Sequence, residues 1–257
     1  MDFTPIIQAV FKQMLWVVPI LVIIGLFKTP KVKGLFGEAF VKLLAKLKLP
    51  ADVYIPIHNV TLPTADGTTQ IDHIFVSEFG VFVVETKNMK GWIFGAENQA
   101  QWTQQIFKVK NKFQNPLRQN YKHVKTLEAS LGIPPEGIIS VVAFMGQRKF
   151  KTEMPKNVKH GIGYVRYIKS FKTTILSQEQ VDSVVAQIQS GRLEPSRATD
   201  KDHVKQLKSR KSASADRMCP KCGKPMVLRT AKKGSNSGNQ FWGCSGYPSC
   251  RTIQELT

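Results

Sequence analysis

Asp72, Glu85 and Lys87 interrupt two otherwise apolar runs of sequence, residues 70–77 and 81–87. Both runs are rich in Ile, Phe and Val, which predicts two strands joined by a tight turn. Because side chains alternate across a strand, Glu85 and Lys87 project from one face. An antiparallel hairpin brings Asp72, near the far end of the first strand, next to Glu85. Two carboxylates and an amine are therefore expected to converge at one end of a sheet.

A divalent cation is the expected partner of this group. Carboxylates are disfavoured within strands, and burying one without a partner costs free energy. Mg²⁺ or Mn²⁺ would supply the counter-charge, because hard ions prefer oxygen ligands and are held by one or two carboxylates with water and phosphate oxygens. Lys87 could then orient or deprotonate an attacking water. The alternative is a surface ion pair of Glu85 with Lys87, and Asp72 at a solvated strand end.

The spacing D-x12-E-T-K resembles the D…(D/E)xK signature of restriction-endonuclease-like nucleases. Further segments are similar to the nuclease-related domain called NERD, over roughly residues 34–131; they are residues 37–38, 71–73, 84–88, 91–95 and 115–116. The resemblance implies an α/β fold with a restriction-endonuclease-like mixed sheet flanked by helices, and a metal-dependent phosphodiesterase. By position in the motif it assigns Glu38, Asp72, Glu85 and Lys87 to the catalytic site, with Asp72 and Glu85 as Mg²⁺ or Mn²⁺ ligands. Apart from the resemblance, an acid such as Glu38 in a first helical turn is simply favoured by the helix dipole.

Composition limits the classes of partner. The chain has 257 residues, enough for one domain of ordinary size and one small domain. A net charge of +19 and a pI near 9.9 favour polyanions, either nucleic acid or an anionic membrane surface. All four cysteines lie in the last 39 residues, which argues against a disulfide framework and for a reducing compartment.

The N-terminus carries a long apolar run. Residues 14–27 contain no charged side chain, and lysines follow at positions 28, 31 and 33. Extended back to residue 6 the run has 22 residues, close to the roughly 20 that a membrane-spanning helix needs. We expect residues 1–30 to anchor the chain in the inner (cytoplasmic) membrane as a single pass, with the later domains in the cytoplasm by the positive-inside rule. A buried helix and a helix lying flat on the bilayer are the alternatives.

Apolar periodicity predicts an α/β domain over residues 34–191. Helices are predicted at 34–49, 115–131 and 177–191, and strands at 53–62, 70–77, 81–87, 91–95, 101–109 and 137–145, with one or two more within 158–168. The first helix is expected to turn one apolar stripe to the core; the stripe comprises Leu35, Phe36, Ala39, Phe40, Leu43, Leu44 and Leu47. Trp92 and Trp102 are expected to be cross-strand core partners. His123 is expected to be structural, without a partner.

Two basic stretches lie outside the predicted strands. Arg118 and Lys122 lie near the start or on the polar side of the helix at 115–131, where they could contact a phosphate backbone. A solvated helix face is the alternative. Residues 192–218 lack periodicity and are rich in Lys, Arg and Ser, which predicts a basic, flexible linker.

Cys219, Cys222, Cys244 and Cys250 have the spacing C-x2-C-x21-C-x5-C. Two cysteine pairs separated by a hairpin-length insert suit one tetrahedral Zn²⁺ held by four thiolates, a closed and therefore structural site. A module of this size, residues 219–257, buries too little surface to fold alone, so zinc binding would supply the free energy. Two disulfides are the alternative.

The cysteine module resembles the C4 zinc ribbon found at the C-terminus of bacterial type I topoisomerases. The resemblance implies binding of single-stranded or structured DNA. Positive charge comes from Lys221, Lys224, Arg229, Lys232 and Lys233. Phe241, Trp242 and Tyr247 offer rings on which bases could stack, although packing of Trp242 beneath the zinc site is an alternative.

The sequence thus predicts a membrane-anchored DNA-binding protein with a metal-dependent nuclease domain and a zinc ribbon for single-stranded DNA. The alternatives are a non-catalytic tether that holds DNA near the membrane and an accessory factor for a topoisomerase. The intact acidic motif favours the nuclease.

Overall fold

The computed structural model describes residues 3, 12, 16–17, 29–64, 67–196, 198–199, 201–205, 219–224, 226–231 and 240–255. The chain divides into two compact units, which we call the α/β unit (Met1–Thr64 with Thr69–Leu193) and the ribbon unit (Ala65–Thr68 with Glu194–Thr257). Nearly all of the predicted anchor, residues 1–30, and most of the predicted linker lie outside the described residues. Within those residues, no helix has both the length and the apolar character needed to cross a membrane.

A mixed five-stranded sheet with flanking helices forms the centre of the α/β unit. In chain order the elements are α1 (Pro30–Lys48), β1 (Ile55–Thr64), β2 (Gly67–Ser77), β3 (Gly80–Asn88), β4 (Gly91–Phe94), β5 (Gln101–Ile106), β6 (Val109–Gln114), α2 (Pro116–Leu131), β7 (Ile138–Met145), β8 (Arg148–Phe150), β9 (Val158–His160), α3 (Gly163–Ile168) and α4 (Gln178–Gly191). The strand order is β1–β2–β3–β7–β9. Strands β2 and β3 pair antiparallel, and β7 pairs parallel with β3 and with β9. The predicted mixed α/β architecture is confirmed.

The β2–β3 hairpin turns where the sequence predicts, between Ser77 and Gly80. Gly80 has a φ of +126°, and a Cβ at this position would lie 2.8 Å from the carbonyl oxygen of Gly137. Only glycine fits this turn without strain. The turn therefore fixes the register of the hairpin, which in turn sets which side chains of β2 and β3 are neighbours.

Apolar layers cover both faces of the main sheet. On one face, Ile74 and Val83 pack with Leu127 of α2 and Ile188 of α4. On the other, the buried side chains come from the sheet, α1 and α3; they include Phe75, Phe82, Val41 and Tyr164. The Tyr164 hydroxyl donates a hydrogen bond of 2.6 Å to the Val41 carbonyl and so ties α3 to α1. The hairpin strands are thus held between two layers of helices.

Helix α1 presents a different face to the core than the sequence predicts. Leu35, Phe40, Leu43 and Leu47 are 64%, 48%, 50% and 65% exposed. The buried side carries Val41, Ala45 and Leu49, together with Gly37, where a Cβ would lie only 2.6 Å from the Cβ of Asn88. Of the predicted stripe, Leu44 packs against the core, and the rest of the prediction is wrong. Helix α1 is apolar on two sides, and the side with the smaller residues allows the closer approach to the sheet.

A second sheet has the strand order β6–β5–β4–β8. Trp102 is fully buried on its inner face and stacks on Phe144 of β7, with ring centroids 6.1 Å apart. The expected pairing of Trp92 with Trp102 is wrong, because Trp92 lies opposite Gln105 and is 46% exposed. The two tryptophans point to opposite faces of the sheet.

Residues 158–168 also differ from the prediction. Only Val158–His160 is a strand, and Gly163–Ile168 is helical, with Tyr164 and Ile168 buried. The apolar run is too short for its length to distinguish a strand from a helix, so its sequence pattern fits both. Helix α4 begins with a capping box, in which the Ser177 side chain accepts from the Gln180 backbone N–H and the Gln180 side chain accepts from the Ser177 backbone N–H.

The ribbon unit contains a three-stranded antiparallel sheet. Its strands are β10 (Met226–Thr230), β11 (Gln240–Cys244) and β12 (Ile253–Glu255), in that spatial order. Its buried core consists of Cys219, Met226, Cys244 and Cys250, with Trp242 packed against them. So small an apolar core gives the unit little stability of its own.

Candidate functional site

The hairpin places Asp72 beside Glu85. His73 pairs with Val84, so the same antiparallel register carried one residue further sets the two carboxylates opposite each other. The Asp72 Oδ2 atom accepts a hydrogen bond of 2.7 Å from the backbone N–H of Thr86. Glu85 is 2% exposed. The predicted convergence of the two carboxylates is confirmed.

Lys87 completes the group from the same strand as Glu85. Its Nζ atom donates to Glu85 Oε1 at 2.6 Å and to Gln119 Oε1 at 2.9 Å. The Lys87 side chain is 22% exposed, so the ammonium lies at the edge of the buried group. The alternative of a plain surface ion pair is excluded, because the carboxylate it would involve is buried.

Helix α2 lies over this group and contributes Gln119 and His123, one turn apart. His123 Nε2 lies 3.3 Å from Glu85 Oε2, and His123 Nδ1 lies 2.8 Å from the Thr69 hydroxyl oxygen. The expectation that His123 has no partner is therefore wrong. The sequence does indicate that Gln119 and His123 are neighbours, because residues four apart share one face of a helix. Nothing in the sequence alone indicated that this face meets Glu85.

Two asparagines set the position of α2. Asn115 caps the helix by accepting a hydrogen bond of 2.9 Å from Leu117 N, and its amide donates 2.7 Å to the Gln99 carbonyl. Asn120 is fully buried and donates to the carbonyls of Val83 at 2.8 Å and Val141 at 3.1 Å. These bonds fix the helix against β3 and β7, which places Gln119 and His123 over the site. Sequence reasoning missed Asn120.

The electrostatics of the two carboxylates differ. Burial, with the nearby Glu85 charge, raises the pKa of Asp72, and the Thr86 N–H only partly offsets this. Burial also acts to raise the pKa of Glu85, but the Lys87 ammonium and His123 outweigh it and hold the pKa below its ordinary value. Glu85 is therefore the carboxylate that ionises first, and a further positive charge beside Asp72 would favour the ionised form of Asp72.

Glu38 lies close enough to act on the same group. Its negative charge contributes to raising the pKa of Asp72. Glu38 is partly buried on α1, next to Gly37, whose close approach to Asn88 draws this end of the helix onto β3. The structure thus brings Asp72, Glu85 and Lys87 together, and Glu38 lies near enough for its charge to act on Asp72.

The donor atoms fit a hard divalent cation. Glu85 Oε2 is buried and accepts no hydrogen bond from any residue that the structure describes, because the approach of His123 lacks hydrogen-bond geometry. An unsatisfied buried carboxylate oxygen beside a second carboxylate is a favourable cation ligand. Asp72 and Glu85 would supply two ligands, the number with which Mg²⁺ is commonly held, while water and phosphate oxygens fill the remaining positions.

The predicted nucleic-acid contacts on α2 are exposed. The Arg118 guanidinium donates a hydrogen bond of 3.0 Å to the carbonyl of Asn98, which ties it to the loop between β4 and β5. Lys122 is exposed on the same helix. Both side chains are accessible to a ligand, and their contact with nucleic acid stays a prediction.

The four cysteines of the ribbon unit converge on one point. Their Sγ atoms all lie within 4.8 Å of one another, and they form the one such cluster of three or more His, Cys, Asp or Glu donors among the described residues. Sγ separations of 3.6 Å for Cys219 with Cys250 and 3.4 Å for Cys222 with Cys244 are too long for disulfides. Four thiolates about 2.3 Å from a tetrahedral Zn²⁺ would lie roughly 3.8 Å apart, so the cluster supports a structural zinc site.

Among the aromatic and basic residues of the ribbon unit, one group packs against the cysteines and another is exposed to solvent. Trp242 packs against the cysteine core, as the alternative interpretation expected. Tyr247 is 59% exposed, with the Arg229 guanidinium 5.6 Å from its ring centroid. Lys221 and Lys224 are exposed, and Phe241 is partly buried. The predicted contacts Lys232 and Lys233 lie outside the described residues.

Comparisons with known proteins agree with this division of the chain. The Nuclease-related domain (NERD) family matches residues 33–145, and the Topoisomerase DNA binding C4 zinc finger family matches residues 216–257. An uncharacterized protein of Bacillus anthracis is 41% identical over 185 residues, which cover 69% of this chain and 85% of that protein. No solved structure matches significantly. The chain therefore belongs to the nuclease-related domain family and carries a topoisomerase-type C4 zinc ribbon at its C-terminal end.

Proposed function

We propose that the chain is a membrane-anchored DNA-binding protein with a Mg²⁺- or Mn²⁺-dependent nuclease site of the D-(D/E)xK type in a restriction-endonuclease-like α/β unit. The observation that carries this proposal is the convergence of Asp72, Glu85 and Lys87 at one end of the main sheet, with Glu85 Oε2 buried and without a hydrogen bond. The family match to the nuclease-related domain supports it.

Each residue of the site has a separate role in the proposed hydrolysis. Asp72 and Glu85 would hold the divalent cation, and the charge of Glu38 would add to the negative field that attracts it. The bound ion would polarise a phosphate oxygen and lower the pKa of a coordinated water. Lys87, held by Gln119 at 2.9 Å, orients the attacking water or stabilises charge on the phosphate.

A cleavage assay tests this proposal directly. The full chain is incubated with single-stranded, duplex and branched DNA, with and without Mg²⁺ or Mn²⁺, next to the Asp72→Asn variant. We expect cleavage that requires the added ion and is lost in the variant, because an amide is a neutral and weaker ligand. Equal cleavage by the variant would contradict the site. DNA binding by the wild type without cleavage of any substrate would favour the non-catalytic tether.

The zinc ribbon is proposed to bind single-stranded DNA. The exposed ring of Tyr247 beside the Arg229 guanidinium supports this, because an aromatic face and a cation together suit a stacked base and its phosphate. The exposed Lys221 and Lys224 add positive charge. In this proposal Trp242 supports the zinc site from beneath and does not contact bases.

The anchor is proposed to place both units in the cytoplasm at the inner membrane. The uncharged residues 14–27 and the lysines after them support this.

Fractionation of cells tests the anchor. The full chain should sediment with membranes, whereas a chain beginning at Lys31 should be found in the soluble fraction. Recovery of the full chain in the soluble fraction would contradict the anchor, and it would leave the nuclease proposal unaffected.

A further inference from the structure

The second sheet of the α/β unit turns a basic, aromatic face to solvent. Lys149, Trp92, Gln105 and Lys110 occupy successive cross-strand positions on β8, β4, β5 and β6. Residues directly opposite each other share a face, so these four side chains form one row on the side away from Trp102. We call this side the outer face of the second sheet.

A second row lies two residues further along each strand. Phe94 and Thr103 are paired, Thr103 is paired with Lys112, and Lys151 donates its backbone N–H to Ile93 just beyond β8. The outer face therefore carries one pair of lysines on each edge and aromatic and polar side chains between them. The Lys151 ammonium lies 4.2 Å from the centroid of the Trp92 ring. The four strands of this sheet contain no aspartate or glutamate.

One end of the outer face has a depression. Its volume is about 450 Å³, and its lining includes Lys90, Trp92, Gln105 and Phe107. Phe107 lies at the tip of the β5–β6 hairpin, where it is 94% exposed. A depression of this size is within the range of pockets that hold small ligands, and it is large enough for a nucleobase.

We propose that the outer face of the second sheet binds single-stranded nucleic acid, with phosphates on the lysines of β6 and β8 and a base stacked on Trp92. Lysine neutralises phosphate, and an exposed indole offers a stacking surface for any base. Exposed aromatic side chains on a four-stranded sheet bind single strands in the same way in common RNA-binding modules. Trp92 is 46% exposed, and the Lys151 ammonium lies over its ring, so a stacking base would displace this ammonium toward a phosphate. A ring beside a charged group is poorly suited to insertion into a bilayer.

This surface lies close to the candidate active site along the chain. Strand β4 begins at Gly91, four residues after Lys87, so at most roughly 14 Å of extended chain separates the two. A strand bound on the outer face could therefore continue toward the end of the main sheet that holds Asp72 and Glu85. The inference rests on the proposed DNA-binding function, but it does not require cleavage.

The test compares paired lysine variants in the full chain. Binding of a fluorescein-labelled oligo(dT) is followed by anisotropy over a range of salt concentrations, without added Mg²⁺ or Mn²⁺. The face variants are Lys149→Ala/Lys151→Ala and Lys110→Ala/Lys112→Ala, and the matched control is Lys169→Ala/Lys172→Ala, which removes two exposed lysines elsewhere on the unit. We expect the slope of log affinity against log salt to fall by roughly 0.7 per lysine in the face variants only.

The stacking position is tested separately. Trp92→Ala should weaken oligo(dT) binding by roughly 5- to 150-fold, and Trp92→Phe should retain most of the affinity because it keeps an aromatic face. Near-ultraviolet circular dichroism checks that each variant is folded. If Trp92→Ala does not fold, the comparison of Trp92→Phe with the lysine variants still decides the question.

The outcomes separate this inference from the proposed function. Failure of the wild type to bind oligo(dT) would overturn the DNA-binding function and this inference with it. Wild-type binding that is unchanged in every face variant would overturn the inference alone. Loss of binding to phosphatidylglycerol vesicles, with unchanged oligo(dT) binding, would assign the face to the membrane and overturn it as well.

Discussion

The α/β unit and the ribbon unit each carry a candidate metal centre, but different forces hold the donor atoms in place. In the α/β unit, Asp72 and Glu85 lie on strands packed between two apolar layers, and Thr86 N–H fixes the Asp72 carboxylate at 2.7 Å. In the ribbon unit, the described core consists of three cysteines, Met226 and Trp242. The fold therefore builds the first centre, whereas the second depends on its ion for its own structure.

The donor chemistry follows the same division. Carboxylate oxygens bind hard ions such as Mg²⁺, which keep several coordinated waters and so leave positions for an attacking water and a phosphate oxygen. Four thiolates bind zinc in a closed shell with no open position for substrate. Removal of metal should thus abolish activity at the first centre and abolish structure at the second.

Loss of one zinc ligand should unfold the ribbon unit. Cys222→Ser should lower the zinc content from one ion per chain to none and remove the structure of residues 219–257, while the α/β unit stays folded. Metal analysis and nuclear magnetic resonance spectra of the two chains measure both effects. Affinity for single-stranded DNA should fall and its salt dependence weaken, because fewer phosphates are neutralised. A wild-type chain without zinc but with an unchanged spectrum would contradict this centre.

Changes at the first centre should abolish cleavage and leave the structure intact. Glu85→Ala and Lys87→Ala should each lower the cleavage rate, by roughly 10²- to 10⁴-fold for Lys87 acting on the water. DNA affinity should change little, because the basic surfaces outside the site provide the binding charge. The matched control is Glu128→Ala, which removes a carboxylate that pairs with Lys125 at the surface of α2. If Glu85→Ala and Lys87→Ala both cleaved as fast as the control Glu128→Ala, the site would be rejected.

The sequence predicts the hairpin part of this centre because the necessary information is local. The two-residue period of β2 and β3, with a glycine turn between them, determines that Asp72 meets Glu85. Gln119 and His123 could not be placed in this way. Their positions depend on the rotation of α2 about its axis, which the tertiary contacts of Asn115 and Asn120 determine.

Two other elements show why periodicity fails where burial is one-sided or ambiguous. The sequence does not predict strand β6, Val109–Gln114, because its residues do not alternate between apolar and polar. Lys110 and Lys112 lie on its outer face, and on its inner face Phe113 is the one side chain that packs against the core. Helix α1 has apolar residues on two sides, and hydrophobicity does not distinguish them. The small residue Gly37 decides which side packs against the sheet, through its close approach to Asn88.

Gln119 allows a smaller test of how the fold positions the first centre. Gln119→Leu removes one of the two hydrogen bonds that the Lys87 ammonium donates, to Glu85 and to Gln119. A bond to a charged group is worth about 1.5 kcal/mol, so cleavage should fall by roughly tenfold. The concentration of Mn²⁺ needed for half-maximal activity should not change, because Gln119 contacts Lys87 and not the carboxylates. Gln187→Leu on the exposed side of α4 is the control. A shift in the Mn²⁺ requirement would show that Gln119 acts on the metal ligands instead.

The α/β unit also contains a pair of neighbouring histidines, of which His73 is fully buried and His58 is partly buried. His73 Nδ1 lies 3.1 Å from His58 Nδ1, so one of these nitrogens must donate a hydrogen bond and the other must accept it. Only one of the two Nδ1 atoms can therefore carry a proton. Burial, with the nearby charge of Lys42, lowers the pKa of His58 to about 4. Burial, with His58 and Lys42, lowers the pKa of His73 to about 3. Both imidazoles are therefore neutral in the folded unit near neutral pH.

Acid should therefore destabilise the α/β unit by a route that does not involve metal. An unfolded histidine has a pKa of about 6.5, so below that pH the unfolded chain binds more protons than the folded chain. The free energy of unfolding should be fully present above about pH 6.5 and should fall as the pH drops toward the folded values of about 4 and about 3. Thermal unfolding of the Cys222→Ser chain, whose ribbon contributes no transition, measures this dependence, and each kcal/mol lost should lower Tm by about 2–4 °C.

The variant His58→Asn should flatten the pH dependence of the free energy of unfolding between about pH 5 and pH 6.5, above the range in which ordinary carboxylates titrate. The control His160→Asn, at an exposed histidine, should leave that dependence unchanged. Equal slopes in the parent and His58→Asn chains would show that the histidine pair does not govern the acid sensitivity of this unit.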